Sequence, residues 1–546
     1  MRRALAAVGL LLTLSMGLAY AGDWPQWRGP ERNGISPETV PLVDKFPADG
    51  LVPVWTSEDI PGGDRGGYGS VSVAGGKAYV FVNWRYDDPI EPRTLSRGEL
   101  AGMGWAPGIP EELSQAVEQA RLSDERAGLK GDDPVNKWAA EWMKQNLKPE
   151  DRKFGGAVQA RLRAGKTAVP LEDLAKLSTI ANKEFPNQAA LDEWFKANEI
   201  GAGAQEKVTS VVPKTVRKAK DRLYCLDADG LTLWKVEWDG NWMWYPGSCT
   251  PSIIDGRCYV VTTNAVMICL DADKGTEIWK SEPLGAREHT HNRSSSVLVV
   301  DGIAVAHSET RMVGLDVRDG RILWSNPKVK HKETSAVVWK SGGKTYLITA
   351  SGEPDKSVHC IDPATGQSLW SVPGGEVAST PAVVGDVMAF AGETDNVGLT
   401  AYRLSADKPT QLWTVPFKER YASPVIYKDC VYVIGGGNET YGVRNKGRAL
   451  CVELASGKVA WDVLVGNEGK EGRAELSSPV VADGKVLAVV YPWLYMLKAS
   501  PEGFTILDRA NLRLTMYTSP TIADGKLYLR TNRNVVCYDL ARDRKP

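Results

Sequence analysis

The chain has 546 residues, room for three or four average domains or for one large repetitive one. Lys plus Arg (66) nearly cancels Asp plus Glu (67), so no global field draws in nucleic acid or an anionic membrane. Hydrophobic residues at 43% and charged residues at 24% are ordinary for a soluble globular protein.

The first residues, MRRALAAVGLLLTLSMGLAYAGDW, hold a basic start (Arg2, Arg3), an apolar run and the small-x-small pattern Ala19-Tyr20-Ala21. This predicts a signal peptide over 1–21 with cleavage before Gly22, hence a periplasmic or secreted protein without stable membrane insertion. The apolar run is short for a spanning helix. The first cysteine is Cys225, so no lipid-bearing Cys follows the signal. A leader, 22–50, comes next and carries DWPQWRGPERNGIS (23–36).

From residue 51 the chain alternates short apolar runs with turn residues, interrupted once. Residues 90–218 change character, with PEELSQAVEQARLSDER, PVNKWAAEWMKQNL, PLEDLAKLSTIANK and NQAALDEWFKANE. Proline at the first turn and apolar residues three or four apart (Trp138–Trp142, Leu171–Leu174–Leu177) predict four or five short amphipathic helices.

Beyond the insertion one phrase recurs: CLDADGLTLWK at Cys225, CLDADKGTEIWK at Cys269, GLDVRDGRILWS at Gly314, CIDPATGQSLWS at Cys360 and CVELASGKVAWD at Cys451. Its tryptophan falls at 234, 279, 324, 370, 413 and 461, a period of about 45 residues. Between copies lies a second phrase, as in CTPSIIDGRCYVV (249–261) and YTSPTIADGKLYLRT (517–531). Each period therefore holds four short strands, which predicts a four-stranded antiparallel unit that must stack on its neighbours. The second phrase starts near Ser70, Thr250, Ser296, Ser335, Thr380, Ser423, Ser478 and Ser519, one for each of eight units. The last unit lacks its fourth strand, and LVPVWTSED (51–59), with Trp55, supplies it.

These repeats resemble the pyrroloquinoline-quinone-type propeller family, which includes quinoprotein alcohol dehydrogenases and the propeller subunit of the outer-membrane protein assembly machinery. The resemblance implies an all-β, eight-bladed propeller over 51–89 and 219–546, with an α-helical insertion at 90–218 in blade 1. Dehydrogenases of the family typically carry a vicinal cysteine pair beside the quinone, with calcium ligands and an Asp base. Here no two of the eight cysteines (225, 249, 258, 269, 360, 430, 451 and 537) are neighbours, and no haem motif is present.

Cys225, Cys269, Cys360, Cys451 and Cys537 share one register and read as small buried hydrophobes. A hairpin turning at Thr263-Asn264 would set Cys258 opposite Cys269, leaving a disulfide or two free thiols open there. Asp227, Asp271, Asp316, Asp362 and Asp539 recur as turn formers rather than calcium ligands. The loops leading into each first strand are expected to line a funnel on the insertion-bearing face. Their candidate ligand-binding residues are Arg65, Tyr68, Trp244, His289, His291, Arg293, Lys332, Glu333, Arg420, Tyr421, Glu475 and Tyr517. His289 and His291 read as polar surface, so no metal site is expected.

The resulting expectation is an exported, non-catalytic, monomeric scaffold that binds a small polar molecule or an envelope protein, with no cofactor and no nucleic acid. Two alternatives stand beside it. One is a divergent oxidoreductase dependent on pyrroloquinoline quinone with calcium; the other is an envelope protein assembly factor.

Overall fold

The computed structural model describes residues 22–542, apart from 38–39, 63–68, 244–246, 248, 286–294, 332, 376, 378, 393–396, 418, 420, 436–446, 466–476, 513 and 515–518. The predicted signal peptide and its cleavage site lie outside the described residues. Two compact units are present, one formed by 1–86 with 219–546 and the other by 87–218.

The first unit is a β-propeller of eight four-stranded antiparallel sheets. Blade 2 shows the pattern, with strands Ser252–Ile254, Arg257–Val261, Met267–Asp271 and Glu277–Lys280 hydrogen-bonded in chain order. Blade 8 takes three strands from the C-terminal end, Thr521–Ala523, Lys526–Arg530 and Val535–Asp539. Its fourth is Trp55–Thr56, with Trp55 opposite Cys537. At the seam between blades 8 and 1, Thr521 Oγ1 donates to Val71 O at 2.7 Å and Arg530 Nη1 to Phe81 O at 2.8 Å.

The repeated phrase has a physical reading. On the fourth strand each indole lies across from a small third-strand residue: Trp234 from Cys225, Trp279 from Cys269, Trp324 from Gly314, Trp370 from Cys360 and Trp461 from Cys451. A larger residue there would meet the ring; a Cβ on Gly314 would stand 2.2 Å from Trp324. The indole then reaches the next blade and covers its turn glycine. A Cβ on Gly275 would lie 2.7 Å from Trp234, on Gly320 2.4 Å from Trp279, and on Gly366 2.3 Å from Trp324. Each ring nitrogen donates to a carbonyl of that turn: Trp279 to Val317 O, Trp324 to Pro363 O and Trp413 to Leu454 O, all at 2.8 Å. The repeated aspartates close the same turns. Asp271 Oδ1 accepts the amides of Asp273 and Lys274 at 3.0 and 2.9 Å, and Asp227 Oδ1 those of Asp229 and Leu231 at 2.9 Å.

All eight cysteines are free and buried. The Cys258–Cys269 pairing expected from the sequence is corrected by register. Cys258 stands opposite Leu270 and Cys269 opposite Tyr259, because Thr262 N donates to Val266 O and the hairpin turns on three residues, 263–265, instead of two. One position of slip puts the two thiols on opposite faces of the sheet. Burial pushes the Cys225 and Cys269 thiols up to about 11 and Cys360 up to about 12, so they are protonated at neutral pH and poor nucleophiles.

The second unit is helical: α1 Arg97–Gly102, α2 Glu111–Leu122, α3 Asp124–Gly128, α4 Asp132–Asn146, α5 Gly155–Ala164, α6 Leu171–Ser178, α7 Gln188–Ala197 and α8 Ala202–Val211. Ser96 and Glu99 form a capping box on α1. Arg93, 1% exposed, ties the segment together by donating to Pro213 O and Val212 O, both at 2.7 Å. One apolar core gathers Leu100, Leu174, Leu177, Leu191 and Phe195; another gathers Leu113, Val117, Val158 and Leu162.

Trp55 repeats the docking geometry at the seam, with its ring 2.4 Å from the position of a Cβ on Gly230 and edge-on to Tyr528 at 5.9 Å. Its ring nitrogen has no acceptor among the described residues. Trp279→Ala should therefore cost about 3–5 kcal/mol. Trp55→Ala should cost about 1 kcal/mol less, since no hydrogen bond is lost with it. Guanidinium unfolding of the two variants measures this; a neutral Trp55→Ala would mean that Leu51 to Asp59 does not hold blade 8.

Candidate functional site

The first strands of the blades adjoin around the axis, and the residues entering them build its wall. All eight entry positions carry a hydroxyl: Ser70, Thr250, Ser296, Ser335, Thr380, Ser423, Ser478 and Ser519. Backbone N–H groups donate to the hydroxyl of the next blade from Ser70 to Thr250 (3.0 Å), Thr250 to Ser296 (3.0 Å) and Ser296 to Ser335 (2.9 Å). The series continues from Thr380 to Ser423 (3.0 Å), Ser423 to Ser478 (3.0 Å) and Ser478 to Ser519 (2.9 Å). A second tier lies two residues on, where Ser72 Oγ donates to Pro251 O at 2.5 Å and Ser252 Oγ to Val297 O at 2.6 Å. The hydroxyls are thus a girdle that satisfies backbone amides where no sheet partner exists.

The leader fills the axis. Trp24, 1% exposed, exchanges backbone hydrogen bonds with Val73 at 2.8 and 2.9 Å. Pro25 O accepts from Ile253 N at 2.7 Å, Trp27 Nε1 donates to Thr380 Oγ1 at 2.9 Å, and Val481 N donates to Gly34 O at 2.8 Å. Two arginines complete the plug, Arg28 at 2% and Arg32 at 1% exposure. Arg28 donates to Ser423 O (3.2 Å), Pro424 O (2.5 Å) and Asn33 O (2.8 Å). Arg32 donates to Ser296 O (3.0 Å), Val297 O (2.9 Å) and Gln26 Oε1 (3.1 Å). The leader thereby bonds to first-strand segments of blades 1, 2, 3, 5, 6 and 7. The Trp24, Pro25 and Gly34 contacts fall toward the first-to-second-strand turns, so the channel is closed from that end. Burial, together with the neighbouring Arg32, pushes the Arg28 guanidinium down to about 9, and burial does the same to Arg32. Both stay cationic at neutral pH, and backbone carbonyl dipoles solvate them.

Next to the plug, His307 is 3% exposed, with Nε2 3.0 Å from Thr349 Oγ1. Burial first, then His359 and Arg32, push its imidazole down to about 3. His359 forms its own cluster: Nε2 is 2.6 Å from Asp355 Oδ2 and 3.2 Å from Ser351 Oγ, and Nδ1 is 2.7 Å from Ser368 Oγ. The cluster is local, built from the turn before the His359 strand and from Ser368 beyond it.

Of the residues expected at the funnel mouth, Arg65, Tyr68, Trp244, His289, His291, Arg293, Lys332, Arg420, Glu475 and Tyr517 lie outside the described residues. Glu333 and Tyr421 are half-buried and share one register, two residues ahead of Ser335 and Ser423. Each loop is folded by a buried acceptor that sequence reading missed. His331 Nδ1 accepts the amides of Glu333 (2.9 Å) and Thr334 (3.1 Å). Glu419 Oε1 accepts those of Tyr421 (2.7 Å) and Ala422 (3.0 Å). An acceptor four residues before each hydroxyl is the signal that marks them. Trp242, on the segment before Thr250, has the Arg85 guanidinium over its ring at 5.9 Å.

The fold is that of a propeller built from pyrroloquinoline-quinone-like repeats. The family model described as outer membrane protein assembly factor BamB matches residues 197–349 and 328–545, and the chain belongs to that family. BamB of Yersinia pestis is 25% identical over 150 residues, 27% of this chain; the match spans 35% of that relative's length. Among solved structures, BamB from Moraxella catarrhalis aligns with a TM-score of 0.44 at 16% identity, covering 58% of this chain and 88% of that one. Quinohemoprotein alcohol dehydrogenase from Comamonas testosteroni aligns at 0.40 and 14%, covering 60% and 72%.

His307 predicts a pH response. The unfolded chain binds a proton on this imidazole near pH 6.5, whereas the folded one refuses it until about pH 3. Acidification through that window therefore favours unfolding, by about 2 kcal/mol between pH 7.5 and 5. His307→Gln should flatten the loss of stability over this interval, read from urea midpoints at the two pH values. An unchanged slope would contradict the buried neutral imidazole.

Proposed function

We propose that this chain is an exported, non-catalytic scaffold that takes part in assembling outer-membrane proteins, with its funnel face meeting an envelope protein. Membership of the BamB family supports the role. The observation that carries the non-catalytic part is the use made of the axis: its hydroxyls and guanidinium groups bond to the protein's own backbone. A channel arranged this way is structural, and recognition falls to the loops around its open end.

The described residues do not build a site for pyrroloquinoline quinone and its calcium. No two cysteines are adjacent in the sequence. Among the described residues no three His, Cys, Asp or Glu side chains converge as a metal site would need, and the Asp271-type carboxylates are engaged by turn amides. No helix among the described residues is long and apolar enough to cross a membrane. A cleaved signal then leaves the chain on the far side of the inner membrane, where outer-membrane proteins are handled.

Photo-crosslinking in the source organism tests this, with a benzophenone residue at Glu333 or Tyr421 and at Leu231, which is 67% exposed on a turn between outer strands. Crosslinks to envelope assembly proteins from the two funnel positions, together with fewer heat-modifiable outer-membrane barrels when the chain is deleted, are expected. Quinone-dependent dye reduction at about 1 per second or faster by the purified chain would overturn the proposal.

A further inference from the structure

The funnel loops that carry Glu333 and Tyr421 are folded alike, but by different acceptors. In blade 6 the acceptor is the Glu419 carboxylate; in blade 4 it is the imidazole of His331, 5% exposed. His331 Nδ1 receives the backbone amides of Glu333 and Thr334, so this nitrogen bears no proton in the folded loop. In the sequence, the position four residues before the entry hydroxyl holds Asn292, His331, Glu376 and Glu419 in blades 3 to 6. All of these side chains can accept amides. The imidazole alone among them changes protonation between pH 7.5 and 5.

The blade 4 loop packs between two neighbours. Lys330 O accepts Gly352 N at 2.8 Å, and Thr334 Oγ1 donates to Ser379 O at 2.8 Å. The ring itself lies against Gly352, where a Cβ would stand 3.2 Å from its Cδ2. Charged and titratable groups on the loop are Lys328, Lys330 and Glu333. The turn that holds Gly352 carries Glu353, Asp355 and Lys356, and the strand after it carries His359, bound to Asp355 Oδ2 at 2.6 Å. The corresponding turn of blade 3 carries Glu309 and Arg311, after His307. Lys332 on the loop and Glu376 ahead of Ser379 lie outside the described residues. Among all these groups only the histidines ordinarily titrate between pH 7.5 and 5.

We propose that His331 makes the Glu333 loop a pH-sensitive element of the funnel mouth: in mild acid, protonation of Nδ1 removes the acceptor of both amides and releases the loop, while the Glu419 loop keeps its fold. The consequence for partner binding rests on the recognition role proposed for these loops; the release itself does not. The sign follows from linkage. The closed loop excludes the second proton and the open loop takes it near pH 6.5, so the closed form is favoured above that pH and loses ground below it. The open loop gains about thirtyfold in relative population between pH 7.5 and 5, whereas a loop held by a glutamate gains only about 1.2-fold.

The test is amide hydrogen exchange of the mature full chain at pH 7.5 and 5, resolved to single amides and corrected for the intrinsic rate at each pH. Protection of the Glu333 and Thr334 amides should fall by about thirtyfold at pH 5. Tyr421 and Ala422, held by Glu419, should change by less than about twofold. His331→Asn places an amide oxygen where Nδ1 stands and does not titrate, so it should remove the pH dependence at Glu333 and Thr334 with His307 and His359 still in place. Equal protection of Glu333 and Thr334 at the two pH values, an equal loss in both loops, or the same loss persisting in His331→Asn would each overturn the proposal. The measurement needs no partner, so its failure leaves the scaffold role standing.

Discussion

The contact on which this fold depends is an indole laid over a glycine of the neighbouring sheet. A four-stranded sheet of this size cannot bury both faces by itself, and its outer strand would otherwise offer an open edge. The docked tryptophan settles both problems at one position. It covers the small residue beneath it in its own blade, fills the space over the next blade's turn, and places its N–H on a carbonyl there. Each element of the repeated phrase serves that contact. Cys or Gly makes room, Asp folds the turn, Gly supplies the positive φ and the close approach, and Trp is the group that docks.

Around the axis a different chemistry operates. Polar groups, not apolar ones, are interlocked, and they are satisfied internally by hydroxyls passing from blade to blade and by two arginines held on carbonyl oxygens. Such an axis resists opening, because withdrawing Arg28 or Arg32 would strip several buried carbonyls of their donors at once.

Much of this was legible in the sequence. The eight copies of the first-strand phrase, from Ser70 to Ser519, carried the blade number, and Trp55, lying before any complete blade, marked the strand that joins blade 8. Features set by spatial neighbours were less visible. The hydroxyl at every first-strand entry is plain once known, yet in one dimension it reads as ordinary turn polarity. Nothing in the sequence placed the leader in the axis: Arg28 and Arg32 are residue types seldom buried, and only the carbonyls of Ser296, Ser423 and Pro424 explain their place. The Cys258 register failed by one residue because the hairpin turns on three residues, 263–265, and not on two. Within the insertion α5 was missed, since GGAVQARLRA opens on two glycines, which argue against a helix. Of the funnel residues, Glu333 and Tyr421 were found at a common register, but the groups that shape their loops, His331 and Glu419, were not.

The docking contact can be isolated within one blade. Gly302 and Gly320 both belong to blade 3, with φ of +76° and +74°; a Cβ on Gly302 meets nothing within 4 Å, whereas one on Gly320 meets Trp279 at 2.4 Å. Alanine imposes the same backbone penalty at each, about 1 kcal/mol, so the difference between the variants reports the indole contact alone. Denaturant unfolding of Gly302→Ala and Gly320→Ala should show the second less stable by a further 2 kcal/mol or so, as overpacking predicts. Equal stability of the two would contradict the account, because the blades would then be held together by something other than the tryptophan and the glycine it covers.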